Sequence, residues 1–342
     1  MRKSEHSHRP RGQRKDGSRN AAQDTPEAPQ VSPEALAFNK PQTETAAPAP
    51  EPAHSPLRRK LLTYWRLTRM HRPIGIFLLL WPVLWSLWIA GHGAPRVGVV
   101  VVFVLGTVLM RAAGCVINDY ADRNFDPYVS RTRDRPLARR EIAPEEALRF
   151  FAVLVAIAGF LVLTMNRLTI YLAFVAVPLA IVYPFMKRYT YLPQVYLGAA
   201  FGWGVPMSFA AQTNALPPVV WLLLAGVVLW VLVYDTEYAM VDREDDLEIG
   251  VKSTAILFAD ADRIIIGLLQ VLLLVDFVLV GREANLHWPY YAGVAGAGLL
   301  CLHQQYLIRE REPAACFQAF LANNGLGATL FVAIAADYLL YA

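Results

Sequence analysis

Residues 98–126 read GVVVVFVLGTVLMRAAGCVINDYADRNFD, an apolar run that ends in a cluster of acids. A helix of about 20 mostly apolar residues can cross a bilayer, so residues 98–118 predict a transmembrane helix. Comparable apolar blocks occupy residues 74–91, 148–165, 169–186, 193–211, 217–235, 264–281, 287–304 and 317–341. The sequence therefore predicts an all-α polytopic membrane protein with nine transmembrane helices.

The overall composition agrees with a membrane protein. Hydrophobic residues make up 55% of the 342 residues, and helices that are apolar all round do not form a water-soluble protein of this size. The net charge of +4 does not indicate nucleic-acid binding, because most Lys and Arg residues lie in loops beside apolar blocks, where they report orientation. The three cysteines are too few and too scattered for a disulfide framework or a metal knuckle.

Loop charges predict the orientation. Residues 1–56 are basic at first and then rich in Ala, Pro, Glu, Gln and Thr. This composition predicts a disordered tail ahead of a transmembrane domain at residues 57–342. If the tail is cytoplasmic, the opposite side holds only Arg96, Arg167 and Arg282. Since cytoplasmic loops carry the excess of Lys and Arg, the nine-helix count and a cytoplasmic N-terminus support each other.

The two long loops, residues 119–147 and 236–263, also fall on the cytoplasmic side. Each follows the second helix of a four-helix set, which predicts two four-helix pseudo-repeats plus a final helix.

The first long loop begins with acids at helical spacing. Asn118, Asp122 and Asp126 recur every four residues, so they share a face if the helix continues. Oxygen ligands of this kind suit magnesium. Such a cluster can equally consist of ordinary helix-end residues in water.

A second acid cluster at the matching end of span six favours the metal interpretation. Asp235, Tyr238, Asp242 and Asp245 or Asp246 are spaced by three and four residues, which again predicts one face. A diphosphate approaches carboxylates only when metal ions bridge the charges. Two clusters on one membrane side therefore predict facing metal sites.

Cations accompany the acids. Arg111 lies seven residues before Asn118 on the same face, and a charge near mid-membrane costs roughly 2.5–3.5 kcal/mol, so it faces a cavity or an ion-pair partner. Arg72 can meet an aromatic carboxylate or act as an interfacial anchor. The candidate diphosphate contacts, for which the alternative is a topology charge, are Arg131, Arg135, Tyr183, Lys187, Arg188 and Lys252.

These motifs resemble the UbiA superfamily of intramembrane prenyltransferases over about residues 60–342. The resemblance lies in residues 118–126 followed by Arg131-Thr132-x-x-Arg135-Pro136-Leu137, and in Asp235-x-x-Tyr238-x-x-x-Asp242-x-x-Asp245-Asp246. Residues 72–82, RPIGIFLLLWP, are similar to the 4-hydroxybenzoate polyprenyltransferases of ubiquinone biosynthesis.

The resemblance implies helices around a central cavity, a lateral opening to membrane lipid, and two Mg²⁺ ions that bridge a polyprenyl diphosphate. The implied principal metal ligands are Asn118, Asp122, Asp242 and Asp246, with Asp126, Asp235 and Asp245 in support. The candidate catalytic residues are Asp122, Asp242, Arg111 and Lys187. The candidate substrate-binding residues are Arg72, Arg131, Arg135, Tyr183, Arg188, Tyr238 and Lys252.

The implied reaction attaches the prenyl group to 4-hydroxybenzoate ortho to its hydroxyl and releases diphosphate, in a bacterial inner membrane. One alternative is a superfamily enzyme with another acceptor, such as homogentisate, dihydroxynaphthoate, haem or a lipid alcohol. The other is a cation transporter, although transport sites lie near the bilayer midplane and these acids end helices on one side.

Overall fold

The computed structural model describes residues 55–128 and 132–341, and every regular element in that part of the chain is helical. The helices are α1 (Pro56–Leu67), α2 (Ile74–Ala90), α3 (Val97–Asp122), α4 (Pro144–Val162), α5 (Arg167–Val182), α6 (Pro193–Gly202), α7 (Gly204–Thr213), α8 (Pro218–Val241), α9 (Arg243–Ile249), α10 (Thr254–Phe258), α11 (Asp262–Glu283), α12 (Trp288–Leu307) and α13 (Pro313–Tyr341). Short 3₁₀ helices lie at Asp126–Tyr128, Tyr183–Arg188, Ala259–Ala261 and Ile308–Glu310. The all-α fold class is confirmed.

The predicted tail, residues 1–56, lies outside the described residues except for Ser55 and Pro56, which begin α1. Ser55 Oγ accepts a hydrogen bond from the Arg58 amide at 3.3 Å, and Pro56 occupies the first helical position, which proline favours. The apolar-block rule misses α1 because its Leu and Trp residues are interleaved with Arg and Lys.

Among the described residues, five helical segments are long and apolar enough to cross a membrane. They are Val97–Asp122, Arg167–Arg188, Pro218–Val241, Thr254–Glu283 and Pro313–Tyr341. The remaining predicted spans are also helical, as α2, α4, α12 and the pair α6 and α7. The chain is thus a multi-pass membrane protein, and the count of nine crossings stays a prediction.

One predicted span, residues 193–211, is broken at Trp203 into α6 and α7. Glycines flank the break because neighbouring helices come very close there. A Cβ atom at Gly202 would lie 2.6 Å from Leu224 Cδ1, and one at Gly204 would lie 2.8 Å from Val83 Cγ2. The break therefore seats this segment against α8 on one side and α2 on the other.

The largest core lies between α2, α8, α11 and α13. Trp85 and Trp230 are completely buried at its centre, with ring centroids 5.2 Å apart, and Phe277 meets Trp85 edge to face at 5.6 Å. Trp85 Nε1 donates to the Gly327 carbonyl at 3.0 Å, so its polar atom is satisfied. This core holds the two halves of the chain together.

The two halves pack in a corresponding way. In the first half α3 packs along α4, and in the second half α8 packs along α11. Both α3 and α8 carry acids at their C-terminal ends, and these ends line one cavity. The two pseudo-repeats stay a prediction.

Candidate active site

A cavity of about 510 Å³ opens where α3 and α8 end. The predicted site residues that line it are Arg72, Arg111, Asn118, Asp122, Asp126, Arg135, Tyr183, Lys187, Asp235, Tyr238, Asp242, Asp246 and Lys252. Arg188 and Asp245 do not line it, and Arg131 lies outside the described residues. Residues more than a hundred positions apart in the chain therefore line one cavity.

The first acid cluster is shorter than the expected helical face. Asn118 and Asp122 lie one turn apart at the end of α3, but α3 ends at Asp122. Asp126 begins a separate 3₁₀ turn, so the prediction that it continues the helical face is wrong. Carboxylates are unfavourable at a helix C-terminus, because the helix dipole is negative there, so the acids at the end of α3 need a compensating cation.

Asp122 is the acid best placed for a cation. It is buried, and its Oδ2 lies 2.5 Å from Lys187 Nζ, at the end of the segment that follows α5. Its other oxygen, Oδ1, is buried and has no hydrogen-bond partner among the described residues. A buried carboxylate oxygen without a partner is costly, and a divalent cation in the cavity would satisfy it.

The second acid cluster also breaks its helix. α8 ends at Val241, and Asp242 sits between α8 and α9 with φ of −101° and ψ of 9°. Asp235 and Asp242 line the cavity from the end of α8, and Asp246 lines it from the first turn of α9. Asp246 lines the cavity and Asp245 does not, so of the two predicted acids only Asp246 faces the same space as Asp242.

The two acid clusters face one space, but they do not form a closed metal site by themselves. Among the described residues, no three His, Cys, Asp or Glu side chains are close enough to hold a metal ion alone. Mg²⁺ usually takes only one or two carboxylates and completes its shell with water and substrate phosphates. The geometry therefore fits a cation that binds together with a phosphorylated ligand.

Asp119 organises the cations at the mouth of the cavity, a role that the spacing alone does not reveal. It is buried, pairs with Arg69 from the linker between α1 and α2, and lies 3.2 Å from Arg135 Nη1. Arg135 Nη1 also donates to both carboxylate oxygens of Asp126 at 3.0 Å. Burial raises the pKa of Asp126 to about 6, although Arg135 acts in the opposite direction. Asp126 therefore positions Arg135.

Arg111 projects into the cavity from α3, as the mid-membrane charge predicts. A Cβ atom at Gly75 of α2 would lie 2.3 Å from its Nε and Nη2 atoms, so only glycine leaves room for the guanidinium. Arg111 Nη1 contacts Cys115 Sγ, and Arg111 Nε is buried with no acceptor among the described residues. A bound anion would satisfy this donor.

A backbone hydrogen bond joins the segments that carry two of the cavity cations. The Lys252 amide donates to the Lys187 carbonyl at 3.2 Å, so the loop after α9 is tied to the segment after α5. The Lys252 ammonium lies 5.3 Å from the centre of the Tyr191 ring. Lys187 and Lys252 thereby reach the cavity from opposite halves of the chain.

Arg188 has a different position from the one predicted. Its Nη2 donates to the Ala121 carbonyl at 2.6 Å, and its guanidinium lies 5.4 Å from the Phe125 ring centre and 5.5 Å from that of Phe185. Carbonyls in the last turn of a helix lack intrahelical partners, and a cation there is favourable. Arg188 therefore caps α3 beside the cavity.

Aromatic side chains form a further wall. Tyr234 and Tyr238 of α8 line the cavity together with Phe317 and Phe320 of α13. The Tyr238 and Phe320 ring centroids are 4.7 Å apart, and those of Tyr234 and Phe320 are 6.1 Å apart. Sequence reasoning missed Tyr234, Phe317 and Phe320, because their spacing does not distinguish them from aromatic residues that face lipid.

Comparison with known proteins gives a consistent result. Residues 79–332 match the sequence model of the UbiA prenyltransferase family. The 4-hydroxybenzoate octaprenyltransferase of Alkalilimnicola ehrlichii is 58% identical over 281 residues, covering 82% of this chain and 96% of that protein. The protein of the same name from Methylococcus capsulatus is 59% identical over 276 residues, covering 81% of this chain and 94% of the relative.

Solved structures share the fold at low sequence identity. A UbiA homolog from Aeropyrum pernix K1 superposes with a TM-score of 0.68 at 21% identity, covering 76% of this chain and 97% of that one. A UbiA homolog from Archaeoglobus fulgidus bound to GPP and Mg²⁺ gives a TM-score of 0.64 at 17% identity, covering 81% of this chain and 99% of that one.

Proposed function

The chain belongs to the UbiA prenyltransferase family, and we propose that the cavity between the ends of α3 and α8 is where its substrates react. The protein transfers a polyprenyl group from polyprenyl diphosphate to 4-hydroxybenzoate in ubiquinone biosynthesis. The observation that carries the site proposal is that Asp122 and Asp242, from opposite halves of the chain, line one cavity together with Arg111 and Lys187.

The enzyme is a metal-dependent prenyltransferase, and the proposed metal is Mg²⁺. Asn118 and Asp122 would hold one Mg²⁺ ion on one wall, and Asp242 and Asp246, supported by Asp235, would hold a second ion on the facing wall. The buried Asp122 Oδ1, which has no partner among the described residues, and the oxygen-rich donor set support this proposal. When bound, the metal supplies positive charge that neutralises the departing diphosphate.

The cavity's own cations bind the same diphosphate. Arg111 Nε, which is buried and lacks an acceptor among the described residues, donates to one of its oxygens, and Lys187 and Lys252 approach from the cytoplasmic loops. Arg135 stays fixed by Asp119 and Asp126 at the rim. Donors that are already in place when charge develops typically contribute more to catalysis than any other single effect.

The reaction breaks the bond between the allylic carbon and the diphosphate oxygen and forms a bond to the ring carbon ortho to the hydroxyl. The released diphosphate or a carboxylate of the cavity then takes the ring proton, which leaves the product aromatic. The faces of Tyr234, Tyr238 and Phe320 stabilise the allylic cation, because the face of an aromatic ring is electronegative. The apolar wall also keeps out water, which would hydrolyse this cation.

We propose that Arg72 binds the carboxylate of 4-hydroxybenzoate. It lines the cavity at the start of α2, close in sequence to Arg69, which is held by Asp119. A guanidinium matches the two oxygens of a carboxylate.

The proposed location is the bacterial inner membrane, with the N-terminus and the cavity mouth on the cytoplasmic side. The excess of Lys and Arg in the predicted cytoplasmic loops supports this orientation. Water-soluble 4-hydroxybenzoate would then reach the rim directly.

An acceptor panel tests the proposed function. Membranes that contain the protein are incubated with labelled polyprenyl diphosphate and, separately, 4-hydroxybenzoate, homogentisate and dihydroxynaphthoate. The expected result is a labelled lipid product with 4-hydroxybenzoate and release of diphosphate. Product with another acceptor only, or cation flux in proteoliposomes without any product, would contradict the assignment.

A further inference from the structure

Helix α1 combines an exposed apolar stripe with a dense positive charge. Leu57, Leu61 and Trp65, here called the α1 stripe, are spaced by four residues and so lie on one side of the helix. They are 69%, 60% and 50% exposed. The helix contains no acid, and its cations are Arg58, Arg59, Lys60 and Arg66. Large apolar side chains on one side of a basic helix are typical of helices that lie in a membrane interface.

A different side of α1 packs on the protein. Leu67 is completely buried against residues of α3 and α4. The Tyr64 hydroxyl donates to Glu146 Oε1 at 2.7 Å, and the Tyr64 ring centroid lies 4.6 Å from that of Phe150. Glu146 and Phe150 belong to the first two turns of α4. These contacts fix α1 beside the start of α4 and leave the α1 stripe uncovered.

The start of α4 is also where its lipid-facing surface begins. Val153, Ile157 and Phe160 follow at spacings of four and three residues, so they share one face of α4, and all three are exposed. This face belongs to the predicted span at residues 148–165, where an exposed apolar side chain contacts lipid. The α1 helix therefore lies at the level where the hydrocarbon meets the headgroups.

We infer that α1 is an interfacial helix that binds anionic phospholipid of the surrounding membrane. The α1 stripe enters the headgroup region, where Trp is favoured, and Arg58 and Arg59 attract the lipid phosphates. Each Lys or Arg near an anionic membrane surface strengthens binding about fivefold. Charge complementarity favours lipid over a second copy of this chain, because two copies of α1 would bring their cations together.

The bound lipid also holds the rim of the active-site cavity. Arg69 and Arg72, in the linker that follows α1, line that cavity. Arg66 Nη2, in the last turn of α1, donates to the Asp134 carbonyl at 2.8 Å, next to Arg135. A displaced α1 would move these cations, so on the basis of the proposed function prenyl transfer depends on anionic lipid.

Two labelled positions test where α1 lies. The native cysteines are buried, so a cysteine placed at an exposed position of α1 is labelled selectively by a thiol-reactive fluorophore. Leu61→Cys probes the α1 stripe. Arg59→Cys is the matched control, because residues two apart point to nearly opposite sides of a helix. The protein is reconstituted in vesicles of equal parts phosphatidylcholine and phosphatidylglycerol.

We expect spin-labelled lipid to quench the fluorophore at position 61 at least about threefold more than at position 59, and iodide in the water to show the reverse order. Equal quenching of both positions by iodide would overturn the inference, because α1 would then lie in water. Protection of position 61 from both quenchers would also overturn it, since a protein surface would then cover the α1 stripe.

Activity in vesicles tests the connection to the cavity. We expect the parent protein to transfer prenyl groups at least about fivefold faster with phosphatidylglycerol than in phosphatidylcholine alone. Leu61→Gln and the double variant Arg58→Gln/Arg59→Gln should lose this gain. Thr63→Gln should keep it, because Thr63 lies on α1 outside the stripe. Leu61→Ala is measured where the glutamine variant does not fold.

Failure of the inference can be told apart from failure of the proposed function. If the parent protein makes no prenylated 4-hydroxybenzoate in either vesicle, the proposed function fails, while fluorescence quenching still reports the position of α1. If the parent is active at equal rates in both vesicles, or if the stripe and arginine variants keep the gain, control by anionic lipid is wrong.

Discussion

Asp122→Asn isolates the charge of the acid that the structure places best for a metal. Asparagine has nearly the same size, and its amide oxygen can still accept a hydrogen bond from Lys187, which lies 2.5 Å from Asp122 Oδ2. The change therefore removes one negative charge and half of the oxygen donors that this side chain offers to the cavity. Asp122 Oδ1, which has no partner among the described residues, loses its role as a ligand.

The effect on activity should be far larger than the effect on folding. Removing one group that stabilises developing charge typically lowers kcat by about 10²–10³, or roughly 2.7–4 kcal/mol. Breaking a fully buried ion pair costs about 3–5 kcal/mol of stability. The folding cost here should be smaller, because Lys187 keeps a polar partner and is 26% exposed.

Two measurements separate these effects. The first is kcat with saturating substrates. The second is the unfolding temperature with and without magnesium and inorganic diphosphate, since a ligand at 100 times its Kd stabilises the folded state by about 2.7 kcal/mol. We expect the parent protein to show this stabilisation and Asp122→Asn to lose most of it.

Asp119→Asn is the matched control, since Asp119 is also a buried acid at the end of α3 but holds Arg69 and Arg135. This variant should lose stability without ligand and still be stabilised by magnesium with diphosphate. Full activity in Asp122→Asn together with an unchanged ligand-induced shift would refute the metal assignment. The metal assignment of Asp122 would also be refuted if Asp119→Asn abolished the ligand-induced rise in unfolding temperature and Asp122→Asn did not.

Three further changes test other parts of the site. Chelation by EDTA should stop the reaction and excess magnesium should restore it, because the acids need a cation before they can accept a diphosphate; activity that survives chelation would contradict this. Arg188→Ala should lower the free energy of unfolding by about 1–2 kcal/mol, seen as a lower unfolding temperature, and leave the KM for the prenyl donor unchanged, since Arg188 caps α3. A loss of kcat equal to that of Lys187→Ala would refute the capping role. Gly75→Ala should lower kcat by roughly 10–100-fold, because a Cβ atom there would lie 2.3 Å from the Arg111 guanidinium and displace it. Gly98→Ala is the control, because a Cβ atom at Gly98 meets no protein atom within 4 Å. Equal kcat values for the two variants would show that the position of Arg111 is unimportant.

Much of the candidate site follows from helical periodicity. Asn118 and Asp122 are four residues apart, as are Asp242 and Asp246, and all four line the cavity. The first pair has a local cause, since a helix places residues four apart on one face. The second pair keeps its spacing although α8 ends before Asp242, because the Asp246 amide donates to the Asp242 carbonyl at 2.8 Å at the start of α9. Arg111 follows from the same periodicity and from the cost of a charge inside the membrane.

The departures from the sequence prediction arise from contacts that no local pattern encodes. Asp126 has the spacing of a third ligand but lies beyond the end of α3, where it binds Arg135. Arg188 sits next to Lys187 in sequence, yet one caps a helix and the other enters the cavity. Asp119 has no spacing that distinguishes it from its neighbours, although it connects two arginines.

The helical membrane fold and the two helices that end in acids can be predicted from the sequence, because apolar block length and helical spacing depend only on residues near each other in the chain. Which acids share the cavity and which cations reach it follow from the packing of separate helices. Those features depend on pairs such as Arg69 with Asp119 and Lys187 with Asp122, which are brought together only when separate helices pack.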